Sequence, residues 1–589
     1  MNQFTEAQVE AINSGAREIL SVAGAGAGKT AVLTERIARL LHNGSSPSEF
    51  LVLTFTRKAA GEMIGRLEKL LSPWWGANTG KLLAPMSIGT FHSVAYGWVR
   101  QYASHLGYTD RITVIEPDES ELLIEQVAVD LGYAKRKGLS LTWKSGVSMD
   151  KVMTVLGLIY SDGSQIADGR ETNAIIAEYW SRLYQMNAID FGQILVGAQK
   201  LLEDPSVRPM LLERYKYLFV DEMHDSSALD LTLQNEFAKT CSVFGVHDPR
   251  QTIYSWRGAR PDLIPKLYPS AKTIQLRECF RCGDEIVFSA NAMISHNPEG
   301  KTCDSMIGKT GRNGLVKVFN GRSADIVDRI VAQHDENGYP YGQIAVLARN
   351  HRTLRRLADL MAERGVPHYR SGCKFDVCET PSFKAVHAFL RLQVNPRDNL
   401  AFLWLSRSLA LSQECYASIR AVAAEKRISH FEAATAIMVD GLGFCDGLDE
   451  TDPLSDMLDA ISVANVAHPD ATKWWRDNCD GMSVQSALAW YSCRDIQDDV
   501  PDGDHANLLT AHAAKGLEWP CVFVVGLNEG DWPSSQSLRK GNIDEERRLC
   551  YVAMTRASEC LFIHYRADSD QAADRKISQP SRFIWEAML

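Results

Sequence analysis

Apolar, partly β-branched runs recur along the chain, each about as long as one buried strand, with helical spacing between them. EILSVA (18–23), LVLTFT (51–56), YLFVDE (217–222), SVFGVHD (242–248) and TIQL (273–276) form a first set. LVKVFN (315–320), IAVLARN (344–350), CVFVVGL (521–527) and CLFIHY (560–565) form a second. Near-continuous apolar runs, rather than strict alternation, predict strands covered on both faces, as in a parallel sheet. Amphipathic stretches such as KAAGEMIGRLEKLL (58–71) supply the covering helices. The pattern predicts an α/β fold with two doubly wound parallel-sheet cores, each interrupted by a mostly helical insertion. The first core is expected over 1–92 and 188–275, with its insertion at 93–187. The second is expected over 276–375 and 501–589, with its shorter insertion at 376–500.

Composition narrows the class. A chain of 589 residues, 45% hydrophobic and 23% charged, has ample material for several globular domains. It contains no apolar run long enough to span a bilayer and no basic-then-apolar leader, so a cytoplasmic protein with no membrane partner is expected. Thirteen scattered cysteines point to reduced thiols. Cys279-x-x-Cys282 has metal-ligand spacing but lacks a second such pair, which argues against zinc. A net charge of -10 excludes a generally basic nucleic-acid coat while leaving room for a local basic channel.

SVAGAGAGKTAVLTERIARLL (21–41) sets a strand, a glycine-rich turn and an amphipathic helix in succession. Gly24, Ala25, Gly26, Ala27 and Gly28 can turn their backbone N–H groups onto phosphate oxygens at the helix N-terminus. Lys29 then reaches the terminal phosphates and Thr30 ligates Mg²⁺. The strict pattern has glycine where Ala23 stands, so the match is one residue short. Gly308-Lys309-Thr310 lacks a preceding glycine-rich loop and reads as a surface turn.

LFVDEMHDSS (218–227) is ambiguous by itself. Asp221, Glu222, His224 and Asp225, with His247-Asp248 downstream, suit a metal hydrolase of the His-Asp type. They equally suit the acidic strand end of a nucleotide triphosphatase. The upstream phosphate loop favours the second reading, with Asp221 holding Mg²⁺ and Glu222 as general base on the attacking water.

Eight segments in order then resemble the UvrD/Rep/PcrA-like helicases of superfamily 1A. They are FTEAQVEAI (4–12), TFTRKAAGEM (54–63), IGTFHS (88–93), VDEMHD (220–225), GVHDPRQTIYSWRGA (245–259), LRECFRC (276–282), LLTAHAAKGLEWP (508–520) and EERRLCYVAMTRAS (545–558). The resemblance implies two RecA-like motor cores and ATP with Mg²⁺ as cofactors. It implies Gln8 as adenine reader, Phe280 as adenine stacker and Glu518 as ribose contact. Gln251 would sense the γ-phosphate, while Arg281 and Arg556 would act as arginine fingers. The DNA path would be Phe55, Thr56, Arg57, Thr90, His92, Tyr254, Trp256, Arg257, Arg349 and His512. Aromatics interleaved with cations suit a single strand, because every base offers a face for stacking.

The expected function is an ATP-dependent DNA helicase or translocase on single-stranded DNA and single/double-strand junctions. The resemblance implies 3′→5′ movement. The alternative is a DNA-sensing ATPase subunit paired with a nuclease in defence or recombination, suggested by the short second insertion and by the little that follows residue 558. Relatives usually carry Gln at His224, Gly at His247, Asn and Ser at Cys279 and Cys282, and Arg at Ala31. An imidazole at 224 is expected to make hydrolysis modestly pH-dependent near neutrality.

Overall fold

The computed structural model describes residues 4–137, 140–162, 169–371, 378, 380–409, 411–437, 451–463, 469–492, 503–566 and 579–589. The expected boundaries at 375/376 and 500/501 lie outside these. Two compact units emerge, one of Met1–Phe91, Leu211–Gly372 and Asp495–Leu589, the other of His92–Met210 and Cys373–Arg494.

The first unit holds two six-stranded, all-parallel sheets. One is built from β1 (Glu18–Ala23), β2 (Phe50–Thr54), β3 (Ser87–Thr90), β4 (Tyr217–Val220), β5 (Ser242–His247) and β6 (Lys272–Leu276), in the order β6-β1-β5-β4-β2-β3. The other is built from β7 (Leu315–Asn320), β8 (Ile344–Ala348), β9 (His368–Arg370), β10 (Ala506–Thr510), β11 (Trp519–Val525) and β12 (Ala557–Tyr565), in the order β7-β12-β11-β8-β10-β9. The chain is thus an α/β protein with two parallel-sheet cores. Central strands are buried from end to end, as their unbroken apolar runs require. Three strands escaped the apolar pattern. SIGT and HYR at the sheet edges are short and polar, and ANLLT carries an Asn within its apolar run.

Register decides where chemistry can gather. Val22 pairs with His247 and Val220 with Gly245, so β1, β5 and β4 are neighbours ending at one level. Their carboxyl ends release the phosphate loop, Asp221 and Asp248 side by side, which is where open parallel sheets bind ligands. β6 pairs with the other side of β1, Leu276 against Ala23, and delivers residues 277–282 to the same loop.

The second unit is mainly helical but contains a parallel pair, Thr113–Ile115 with Ala188–Asp190, and a hairpin, Ala134–Lys137 with Ser140–Trp143. Its two chain segments share a buried polar junction. Arg391 donates to Glu119 at 2.6 and 2.8 Å and to Asp398 at 2.7 and 2.9 Å. Asn395 donates to Thr113 Oγ1 and to the carbonyls of Met186 and Asn187. Such a junction specifies one packing because every charge in it must find its partner.

Candidate active site

β1 ends at Ala23 in extended conformation, bonded through its strand to Leu276. No left-handed backbone is needed there, which is why alanine fits where the strict pattern has glycine. The turn that follows does need it, with φ of 69° at Gly26 and 76° at Gly28. A Cβ on Gly26 would stand 2.6 Å from Arg281 Cβ, so the loop tolerates no side chain on that face. Gly28 caps the helix Lys29–His42, whose first turn carries Thr30 and whose N-terminal N–H groups form an anion cradle. Gln8 braces the loop, its Nε2 donating to Ala27 O at 3.0 Å while its Oε1 accepts from Thr5 N–H at 2.9 Å. Phe280 N–H donates to Gly26 O at 2.9 Å, leaving the ring 43% exposed beside the loop.

Beyond β4, Asp221 N–H donates to Leu53 O and Glu222 takes a left-handed φ of 49°. A non-glycine residue there stores strain on the order of 1–3 kcal/mol, held in place by its surroundings. Lys29 Nζ lies 2.7 and 2.8 Å from the two Glu222 oxygens. Partial burial opposes ionisation of Glu222, yet the Lys29 and Lys515 ammonium groups outweigh it and hold the carboxyl below its usual range. Burial, then the charge of Glu222, pushes Asp221 up to about 7. A buried carboxylate whose ionised form is disfavoured by burial and by Glu222 fits a divalent cation.

Asp248, at the end of β5, fixes the next segment. Its carboxylate accepts from Arg250 Nε at 2.8 Å and from Gln251 Nε2 at 2.7 Å. Gln251 Oε1 in turn accepts from Arg556 Nη2 at 3.3 Å, across from the second sheet. Arg556 is buried, and its remaining bonds go to neutral oxygens of Val552, Leu517 and Thr555. Burial and the nearby Arg281 push it down to about 10. Arg281 donates to Thr555 O at 3.3 Å and pairs with the exposed Glu518. Two guanidinium groups crowded beside an N–H cradle fit a polyphosphate. The structure therefore brings together Gly24–Thr30, Asp221, Glu222, Gln251, Phe280, Arg281, Glu518 and Arg556, with Gln8 behind the loop.

His224 corrects an expectation. The ring is fully buried, its Nδ1 accepts from Asp248 N–H at 3.1 Å, and its Nε2 faces Lys515 Nζ at 3.0 Å. Burial first, then the ammonium groups of Lys515 and Lys29, lowers it well below the ordinary imidazole value. It therefore stays neutral near pH 7 and supplies no switch there. Lys515, which the sequence reading passed over inside AAKGLE, also bonds Asp225 Oδ2 at 2.5 Å and Gln251 O at 2.8 Å. The available signal was a lone lysine in an otherwise apolar stretch. Among the described residues, no group of three or more His, Cys, Asp or Glu is arranged to hold a metal ion, and Asp221 with Thr30 would need a ligand's oxygens to complete a site.

A second cluster starts three residues past Gln251. Phe55 stacks on Tyr254 at 4.9 Å, Trp256 meets His512 edge-on at 6.4 Å, and Arg257 lies over Trp256 at 5.1 Å. Trp256 is 66% exposed. It borders a cavity of about 530 Å³ shared with Arg349, Asn350, Thr510 and His512. Arg349 gives a bidentate pair to Glu546 at 2.9 and 3.0 Å, so its charge is already matched. Thr56 caps the helix Arg57–Trp75 by accepting from Ala59 N–H, which fixes Arg57 in its first turn. Thr90 ends β3 and is buried. His92 belongs to the second unit, stacked at 3.9 Å on Phe191, an exposed aromatic that the sequence reading missed.

Residues 4–272 match the family model of the UvrD/REP helicase N-terminal domain, and residues 274–416 and 485–568 match that of the UvrD-like helicase C-terminal domain. The chain is similar to the ATP-dependent DNA helicase Rep of Buchnera aphidicola, 26% identical over 96% of this chain and 95% of that protein. It is also similar to the ATP-dependent DNA helicase PcrA of Leuconostoc citreum, 27% identical over 99% of this chain and 85% of the relative. PcrA of Staphylococcus aureus (strain Mu50) is 26% identical over 100% of this chain and 86% of its own length.

Proposed function

The chain belongs to the UvrD/Rep helicase family, and from that premise we propose that it couples Mg-ATP hydrolysis to movement along single-stranded DNA, 3′→5′, with strand separation at junctions. The observation that carries this reading is the single short segment running from Gln251 to Trp256. At one end it touches Arg556 of the opposite sheet. At the other it presents an exposed indole flanked by Arg257. A change of charge at the first end has a direct covalent route to the second.

In this reading Lys29 leaves Glu222 for the phosphates, freeing Glu222 to take a proton from the attacking water. Thr30 and Asp221 would hold Mg²⁺, which would supply charge neutralisation for the phosphates. Gln251 reports the outer phosphate. Arg281 exchanges Glu518 for phosphate oxygens and Arg556 approaches with it, lowering the energy of the charge that builds during transfer. Gln8, Phe280 and Glu518 hold the nucleoside, with one N–H and one lone pair of the Gln8 amide left for the base. The strand is held by stacking on Trp256, with Tyr254, Phe55 and His512 behind it and Arg257 on the phosphates. Thr56, Arg57, Thr90, His92 and Arg349 contribute along the same strand, Arg349 after release from Glu546. We assign the two sheets to separate motor cores and the two segments of the second unit to their insertions.

Strand displacement on duplexes carrying a 3′ or a 5′ tail tests the proposal. Opening of the 3′-tailed substrate with ATP supports it, and opening of the 5′-tailed substrate alone refutes it.

A further inference from the structure

Arg281 stands between two cysteines, and their thiols are the least expected groups in the nucleotide site. Cys279 closes a two-residue strand, Glu278–Cys279, paired with Ile307–Gly308. Its Sγ accepts from Cys282 N–H at 3.4 Å, and the one Cys282 S–H is shared between that sulfur and Thr555 O. Cys282 Sγ also donates to Thr555 O at 3.6 Å, the same carbonyl that receives Arg281 Nη1 at 3.3 Å. The pair presses on the phosphate loop, since a Cβ on Gly26 would lie 3.0 Å from Cys279 Sγ and 2.6 Å from Arg281 Cβ.

We propose that Cys279 and Cys282 form a reversible dithiol–disulfide site whose oxidation by a hydroperoxide displaces Arg281 and slows ATP turnover. The proposal rests on the role given to Arg281 above. The thiol hydrogen bond from Cys282, the N–H groups of Cys282 and Arg281, and the Arg281 charge together bring Cys279 down to about 6, against the effect of burial. Cys279 is therefore the attacking thiolate, and Cys282, which is raised, is the resolving thiol.

The thiolate attacks one peroxide oxygen, breaking the O–O bond and releasing hydroxide, and Cys279 becomes a sulfenic acid. Cys282 sulfur then attacks that sulfur and expels water, so two thiols and one hydrogen peroxide give one disulfide and two waters. The sulfurs lose two electrons and the peroxide gains them. Dithiothreitol reverses the change by two exchange steps. Cys279 and Cys282 are both buried, so the peroxide reaches them when the turn bearing the exposed Phe280 opens.

A disulfide brings the sulfurs to about 2.05 Å, well inside their hydrogen-bonded separation. Cys282 then leaves Thr555 O and the Phe280–Arg281 turn moves with it. With Gly26 already in contact, the turn has no room to absorb the shift against the loop. An arginine finger acts only in place, so a fall in turnover of about tenfold or more is expected.

The test oxidises the reduced full-length protein with stoichiometric hydrogen peroxide and scores two independent readouts. Mass spectrometry after alkylation is expected to show a loss of about 2 Da and a Cys279–Cys282 linkage. ATP turnover on single-stranded DNA is expected to drop and to return with dithiothreitol. In Cys282→Ser neither the linkage nor the loss of about 2 Da should appear at the same peroxide dose. Absence of the linkage from wild type overturns the proposal, as does a linked protein with undiminished turnover. A reduced protein with no DNA-stimulated turnover overturns the functional reading and the gating with it, while the linkage alone is still scored by mass.

Discussion

His224 Nε2 lies 3.0 Å from Lys515 Nζ, and only one proton fits between them. Asp248 N–H occupies the lone pair of His224 Nδ1, so the neutral ring carries its proton on Nε2. Lys515 then meets two acceptors, Asp225 Oδ2 and Gln251 O, and one N–H donor. That set disfavours the charged form of Lys515. Burial, the largest influence, lowers Lys515 in the same direction, against the pull of Asp225 and Glu222 and aided by Lys29.

His224 makes a prediction about acid stability. Its lowered value means that below about pH 6.5 the unfolded chain binds a proton that the folded chain does not. Stability therefore rises with pH through that window and is lost as pH falls, by up to about 1.4 kcal/mol per pH unit from this group. Urea titrations at pH 5 and 6 should show a shallower pH slope for His224→Gln. The ratio of wild-type to variant ATP turnover should stay flat from pH 6 to 7, with no step near 6.5.

In the second unit, Arg391→Ala leaves the buried Glu119 without its cation and removes the ion pair with Asp398. Loss of one partner of such a network costs about 3–5 kcal/mol. Thermal denaturation should show a large loss of stability, and Arg391→Lys should recover only part of it because one ammonium cannot keep both bidentate contacts.

Trp256→Ala should weaken binding to single-stranded DNA by about 1–3 kcal/mol, roughly 5- to 150-fold in Kd. ATP turnover without DNA should be little changed, since the indole meets Tyr254, His512 and Arg257. Fluorescence anisotropy with a labelled oligonucleotide measures the first effect and a coupled assay the second.

Much of this was legible in the sequence because β1, β4 and β5 are mostly apolar and are followed at once by a glycine-rich turn, an acidic pair and Asp248. The parallel cores and the gathering of Lys29, Asp221 and Glu222 follow from that punctuation, while Gln251 came with the family resemblance. The family resemblance added Arg281 and Arg556, which spacing alone would not relate to a loop some 250 residues earlier or more. The proton state of His224 was not legible, because it depends on Lys515, 291 residues away, and on one backbone N–H. Nor was the pairing of Arg349 with Glu546, which turns an apparent phosphate ligand into a matched ion pair.

The most direct test of the central claim is ATP turnover with and without single-stranded DNA, in wild type and in Glu222→Gln. The account predicts marked stimulation by DNA in wild type and a fall of about 100-fold or more in the variant, with nucleotide binding retained. Equal wild-type rates with and without DNA, or a variant as active as wild type, would contradict it.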